Sequence, residues 1–264
     1  MPETNASGLR IDYDDRGGGE PALLFLPGWC TSRAVFAPLL SGAARRRRVL
    51  APDWRGHGAS AKPSGDFGAR QLIDDALAVI EASGARAIVP VALSHAGWVA
   101  IALRQRLGAR VPRLVLLDWI VTEPPPGFLA ALAALQDSAR WQQTRDALFA
   151  MWSPGRFIPA VDEYLRHDMG SYDAAMWARA GREIAAAYDT AGSPLAALRS
   201  LQPPLPVLHL YAQPPDPVYL AAQEAVAAAH HWFHVRRLHG LTHFPMFERP
   251  EEMADAIERF VTAP

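Results

Sequence analysis

Short continuous apolar runs alternate with segments of helical spacing along most of this chain. Ala22–Leu26, Val49–Pro52, Ile88–Ala92, Arg113–Leu117 and Pro206–Tyr211 are such runs, bounded by Pro, Gly or charged residues. Runs this short and this apolar predict strands covered on both faces. Leu9–Asp14 alternates apolar and polar side chains, the pattern of a half-buried edge strand, and Trp232–Leu238 reads as a final strand. Helices are predicted between them. Leu72, Ile73, Ala76, Leu77 and Ile80 recur at helical spacing within Gln71–Ser83, which Gly84 ends. Arg33–Leu40, Trp98–Leu107, Gln223–Ala229 and Glu251–Val261 are the other helical stretches flanking the strands. Strand–helix alternation of this kind predicts an α/β fold, a mostly parallel sheet with helices on both faces.

The texture changes after Thr122. Pro124-Pro125-Pro126-Gly127 reads as a hinge, and four helical segments follow: Phe128–Leu135, Ala139–Met151, Val161–Met169 and Tyr172–Tyr188. This predicts an inserted helical cap over 124–196 that divides the core into 1–123 and 197–264. Trp141, Phe149, Trp152, Phe157, Tyr164, Tyr172, Trp177 and Tyr188 fall in the insertion. Aromatic side chains at helical spacing read first as core. So many in one inserted lobe would also suit a lid over a flat, apolar ligand.

Composition narrows the field. The chain has 264 residues, of which 50% are apolar, enough for one large core with an insertion. A formal charge of -1 gives no electrostatic case for nucleic acid or an anionic membrane. The block Arg45–Arg48 reads as the solvated edge of a helix–strand connection. Cys30 is the single cysteine, so no internal disulfide can form, and a reducing, cytoplasmic setting fits. Met1–Ser7 is polar and lacks the apolar core of a signal peptide, and no run is long enough to span a bilayer. No His-Glu-x-x-His, Cys-x-x-Cys, Gly-x-Gly-x-x-Gly or Gly-Lys-Ser pattern occurs, so neither a metal nor a nucleotide is expected.

The stretch carrying chemistry is Pro90–Ala100. An apolar run leads into Ser94, which is flanked by Ala92, Ala96 and Gly97, and a helix-competent segment follows. Strand, tight turn and helix around a serine with small neighbours make the nucleophile elbow. The turn strains the serine backbone and lifts its hydroxyl from the carboxyl end of the sheet. Pro27-Gly28-Trp29-Cys30 ends an earlier strand and belongs beside that elbow, where backbone N–H groups can complete an anion-stabilising pocket. His243 lies on a loop beyond the last strand and before the closing helix. That place suits a base better than those of His230, His231 or His239. His57, in the glycine-rich loop Asp53–Ser60, reads as structural. Two acids compete to orient His243. Asp216 follows the penultimate strand but sits in Pro-Pro-Asp-Pro, the context of an ordinary turn former, whereas Asp118 follows the strand after the elbow helix. Either could accept the Nδ1–H of His243. With either acid, the chain order Ser…Asp…His is that of the α/β-hydrolase fold.

A more specific likeness runs over most of the chain. It rests on Gly28-Trp29-Cys30, Trp54-Arg55-Gly56-His57-Gly58, Ser94-His95-Ala96-Gly97-Trp98, Leu117-Asp118-Trp119, Arg140-Trp141, Trp152, Gln213-Pro214 and Thr242-His243-Phe244-Pro245. In these the chain resembles the cofactor-independent 2,4-dioxygenases of 3-hydroxy-4(1H)-quinolones, a branch of the α/β-hydrolase superfamily. Pro27, Thr31 and Leu93 stand where family members have histidines. The resemblance implies a base made of His243 and Asp118 that takes the proton of the substrate's 3-hydroxyl. Dioxygen is then the co-substrate, and no metal or flavin is needed. The products are an N-acylanthranilate and carbon monoxide. Ser94 would orient the substrate, the backbone N–H groups of Trp29 and His95 would stabilise the C4 oxygen, and Trp152 would face the ring. The same residues would serve a serine hydrolase in which Ser94 attacks an ester or C–C-bond carbonyl. A ligand-binding protein on this scaffold is a third reading.

Overall fold

In the computed structural model, which describes residues 2–155 and 157–263, the strands are β1 (Glu3–Ala6), β2 (Leu9–Arg16), β3 (Ala22–Leu26), β4 (Val49–Pro52), β5 (Ile88–Leu93), β6 (Leu114–Leu117), β7 (Val207–Tyr211) and β8 (Phe233–Arg237). They form one sheet in the order β1-β2-β4-β3-β5-β6-β7-β8. The β1–β2 and β2–β4 pairs are antiparallel, and every pair from β4 to β8 is parallel. Each residue of β3, β5, β6 and β7 is buried. That is why these strands read as unbroken apolar runs: helices cover both faces of a parallel sheet.

Helices α1 (Ala37–Ala44), α2 (Ala69–Ser83) and α3 (Gly97–Leu107) connect the first strands. Between β6 and β7 the described chain is helical throughout its ordered elements: α4 (Phe128–Leu135), α5 (Trp141–Trp152), α6 (Pro159–His167), α7 (Ala174–Ala191) and α8 (Pro194–Arg199), with one short 3₁₀ turn. The chain closes with α9 (Pro217–Ala229), α10 (Pro245–Glu248) and α11 (Pro250–Thr262). No described helix is long and apolar enough to cross a membrane.

The polar strand β1 has no apolar periodicity and was not expected. Its turn makes it: Ser7 and Gly8 have φ of 53° and 85°, the pair of positive values that a two-residue hairpin needs, and Gly8 N–H donates to Asn5 Oδ1 at 2.7 Å. Arg45 and Arg46 of the arginine block are exposed, as a solvated edge predicts, and the block also makes ion pairs. Arg45, Arg46 and Arg47 pair with Glu251, Asp255 and Glu258 at 3.8, 2.6 and 2.7 Å, and Arg48 pairs with Asp15 at 2.7 Å. The three acids share one face of α11, so the block fastens the closing helix to the sheet.

The helical insertion is tied down by polar contacts distant in sequence. Ser32 Oγ donates to Asp168 Oδ2 at 2.6 Å, and Ala69 N–H donates to Glu183 Oε2 at 2.7 Å. Glu183 thus supplies an acceptor to the first turn of α2, whose orphan N–H groups need one. Trp177, Tyr164 and Tyr188 are buried, as core aromatics are, whereas Trp152 keeps an exposed edge.

Candidate active site

Three neighbouring parallel strands end in residues forced into the left-handed region. Cys30 follows β3, Ser94 follows β5 and Asp118 follows β6, with φ of 55°, 52° and 44°. A side chain there costs about 1–3 kcal/mol, and such outliers collect where a fold places its chemistry. All three lie at the carboxyl edge of the sheet, the usual ligand side of an open α/β sheet. Gly28 brings the loop after β3 against the elbow: a Cβ there would stand 3.4 Å from the Leu93 carbonyl oxygen and 3.8 Å from Ser94 Cβ.

His243 and Asp118 meet across this edge. Asp118 Oδ1 lies 2.8 Å from His243 Nδ1, and the side chains are 1% and 14% exposed. A carboxylate only accepts, so Nδ1 carries the hydrogen and Nε2 presents a free lone pair. Asp118 Oδ2 accepts from the N–H groups of Ala212 at 2.7 Å and Gln213 at 3.3 Å, so the carboxylate is held from two sides. The loop that carries His243 is fixed too. Glu248 accepts from the N–H groups of Leu241 and Thr242 and from the Thr242 hydroxyl. His243 N–H donates to the Trp152 carbonyl at 2.9 Å, and the indole of Trp152 stacks on the imidazole with centroids 5.2 Å apart. The Ser94 hydroxyl makes no hydrogen bond among the described residues, to His243 or to any other group.

The rival residues go elsewhere. Asp216 is exposed and caps α9, accepting from Val218 N–H at 2.8 Å. His57 is buried; its Nε2 accepts from Cys30 N–H at 3.2 Å while Nδ1–H donates to the Arg55 carbonyl. Burial pushes its pKa down to about 4, and both ring nitrogens are occupied. His239 and His231 are exposed, and His230 ends α9.

Behind the dyad lies a second polar layer. Trp119 Nε1–H donates to His95 Nδ1 at 3.2 Å, which places the remaining ring hydrogen of a neutral His95 on Nε2. Burial, and secondarily the nearby His243, hold the His95 pKa down at about 3. The Trp119 backbone N–H donates to His209 Nε2 at 3.4 Å, and His209 Nδ1–H donates in turn to Gln223 Oε1. The Trp119 ring packs against Gly97, where a Cβ would overlap its six-membered ring. Gly97→Ala is therefore expected to displace Trp119, costing about 1–3 kcal/mol. Thermal unfolding should show a fall of roughly 5 °C in Tm, accompanied by a change in tryptophan fluorescence.

A cavity of about 20 Å³ lies between sheet and insertion, bordered by Trp29, His95, Trp98 and Ile184. It has room for about one water molecule, and Ser94, Asp118 and His243 do not line it. No group of three or more His, Cys, Asp or Glu side chains among the described residues is arranged to hold a metal ion.

Residues 23–256 match the model of the alpha/beta hydrolase family. Over 265 residues the chain is 39% identical to 1H-3-hydroxy-4-oxoquinoline 2,4-dioxygenase of Pseudomonas putida, with 100% of both chains covered. It is 39% identical over 251 residues to 2-heptyl-3-hydroxy-4(1H)-quinolone dioxygenase of Mycobacteroides abscessus, covering 94% of this chain and 93% of that one. The chain belongs to the 3-hydroxy-4-quinolone 2,4-dioxygenases of the α/β-hydrolase family. A solved structure of 1H-3-hydroxy-4-oxoquinoline 2,4-dioxygenase superposes on this dioxygenase with a TM-score of 0.95, covering 99% of this chain and 100% of that one. AqDC, solved with the product of its cleavage of the Pseudomonas quinolone signal, gives 0.94 at 36% identity, with 100% of both chains covered.

Sequence reading missed three parts of this dioxygenase site: His209, Gln223 and Glu248. A histidine inside the apolar run Val207–Tyr211 was the one available signal, since a polar residue in a fully buried strand needs a partner. Nothing local marks Glu248 as the acceptor for the loop before His243.

Proposed function

We propose that this dioxygenase cleaves 2-alkyl-3-hydroxy-4(1H)-quinolones with dioxygen, giving an N-acylanthranilate and carbon monoxide. The observation that carries the reading is the His243–Asp118 contact with Nε2 left free. His243 takes the proton of the 3-hydroxyl, and the electron-rich anion left behind reduces dioxygen directly. One oxygen atom bonds to C2 and the other to C4. The C2–C3 and C3–C4 bonds break, and C3 leaves as carbon monoxide. One oxygen ends in the amide, the other in the carboxylate, and the imidazolium returns its proton to solvent. No metal or flavin enters this scheme.

The surroundings of His243 favour the transient imidazolium. Trp152 is the last residue of α5, and its carbonyl meets the His243 N–H. The C-terminal end of a helix carries partial negative charge, which stabilises a nearby cation. The backbone N–H groups of Trp29 and His95 stabilise the C4 oxygen as charge develops there, the Ser94 hydroxyl orients the substrate, and Trp152 faces its ring. The insertion, expected over 124–196 and closed in the structure by α8, which runs on to Arg199, acts as the cap.

The strained Ser94 also fits a serine hydrolase, which requires its hydroxyl on the histidine. One assay separates the two. Metal-stripped protein in air with 2-methyl- or 2-heptyl-3-hydroxy-4-quinolone should release one carbon monoxide per quinolone consumed. A fluorophosphonate should leave Ser94 unlabelled. Labelled Ser94 with no gas released would establish the hydrolase instead.

A further inference from the structure

We infer that Gln213 is a positioning residue whose side-chain amide locks the cap and the base loop together over the acid. The inference rests on the reading of His243 and Asp118 as the base. Gln213 sits where three parts of the site converge. Its backbone N–H donates to Asp118 Oδ2 at 3.3 Å. Its Nε2 donates to the Leu241 carbonyl at 2.8 Å, two residues before His243, and lies 3.5 Å from the Trp152 carbonyl. That second carbonyl also receives the His243 N–H, and its own ring stacks on the imidazole. One amide group therefore spans the acid, the base loop and the end of the cap helix α5.

The chemistry requires a donor at this position. Two carbonyl oxygens converge on Nε2, and carbonyls only accept. The amide supplies two N–H groups on one nitrogen, the one common side-chain arrangement that can serve both without charge. Asp216, in the same loop, faces away to cap α9. The loop thus serves the dyad through the backbone and side chain of Gln213 rather than through its carboxylate. Of the two contacts, that to Leu241 is the shorter and that to Trp152 the longer.

Two variants test this, with His243→Ala beside them. Gln213→Met keeps size and removes both donors, and its kcat should fall about tenfold, the worth of one to two hydrogen bonds, at every pH. Gln213→Glu places an acceptor against both carbonyls when ionised and regains one donor when protonated. The titratable groups around it are Asp118, His243 and Glu248, with Asp216 on its own loop. The parent enzyme carries the same groups, so the ratio of variant to parent isolates the new carboxyl. The two facing carbonyls and Asp118 favour the protonated form of the new carboxyl, so that ratio should rise about tenfold as pH falls from 8 to 5. The role is overturned if folded Gln213→Met turns over like the parent, if the Gln213→Glu ratio is flat with pH, or if neither variant folds. Full activity in His243→Ala would instead overturn the base reading, whatever Gln213 does.

Discussion

His243→Ala is expected to lower kcat for quinolone cleavage by about 10²–10⁴-fold, the usual worth of a positioned general base. Asp118→Ala should fall into the same range, because the buried carboxylate fixes the tautomer that leaves Nε2 free. The double variant should be little worse than His243→Ala, since the two side chains act as one unit. Ser94→Ala is expected to keep turnover within about tenfold of the parent, the loss of a single substrate hydrogen bond. Asp216→Ala should leave kcat unchanged and cost about 1 kcal/mol of stability through the lost cap of α9. Steady-state kinetics with each variant gives the ranking. Asp216→Ala crippled with Asp118→Ala intact would reverse the assignment of the acid.

Acid should unfold this protein early. His57 and His209 are both buried, and burial lowers the pKa of each to about 4. In the unfolded chain each titrates near 6.5, so between these values the unfolded state holds more protons than the native one. Stability then rises with pH and is lost as pH falls below about 6.5. Between pH 7 and pH 5 the loss is about 2 kcal/mol for each histidine, a large share of a total stability of about 5–15 kcal/mol. Buried Asp53 and Asp75 act in the opposite sense, because burial raises their pKa above that of an exposed aspartate. They take up protons in the folded state first and offset part of the loss nearer pH 4. Urea unfolding at pH 7 and pH 5 measures the net effect. Equal free energies at the two values would contradict the neutral, buried state of both histidines.

How much of this was readable in the sequence depends on whether the cause was local. β3 and β4 were predicted with their observed ends, because full burial on both faces leaves an unbroken apolar run. Helix α4 was likewise readable from end to end. Helix α2 begins at Ala69, two residues before its predicted start, and its cap partner Glu183 comes from the insertion. Helix α9 begins at Pro217, six residues early, because Asp216 caps it. Apolar spacing marks the middle of a helix, and capping marks its ends. At the site, Ser94 was marked by its small neighbours, which the elbow demands. The choice between Asp118 and Asp216 was not legible from spacing, since each follows a strand. What separates them is three-dimensional: two backbone N–H groups on Asp118 Oδ2, and an exposed helix end for Asp216. Gln213 and His209 owe their roles to strands and loops brought together only by the sheet.

The central claim is that His243 removes the 3-hydroxyl proton before dioxygen takes part. Anaerobic titration of the protein with 2-methyl-3-hydroxy-4-quinolone, followed by the ligand's absorbance below its own pKa, tests this most directly. The account predicts the spectrum of the bound anion with the parent enzyme and that of the neutral ligand with His243→Ala. The same anion spectrum on His243→Ala, or neutral ligand on the parent, would contradict it.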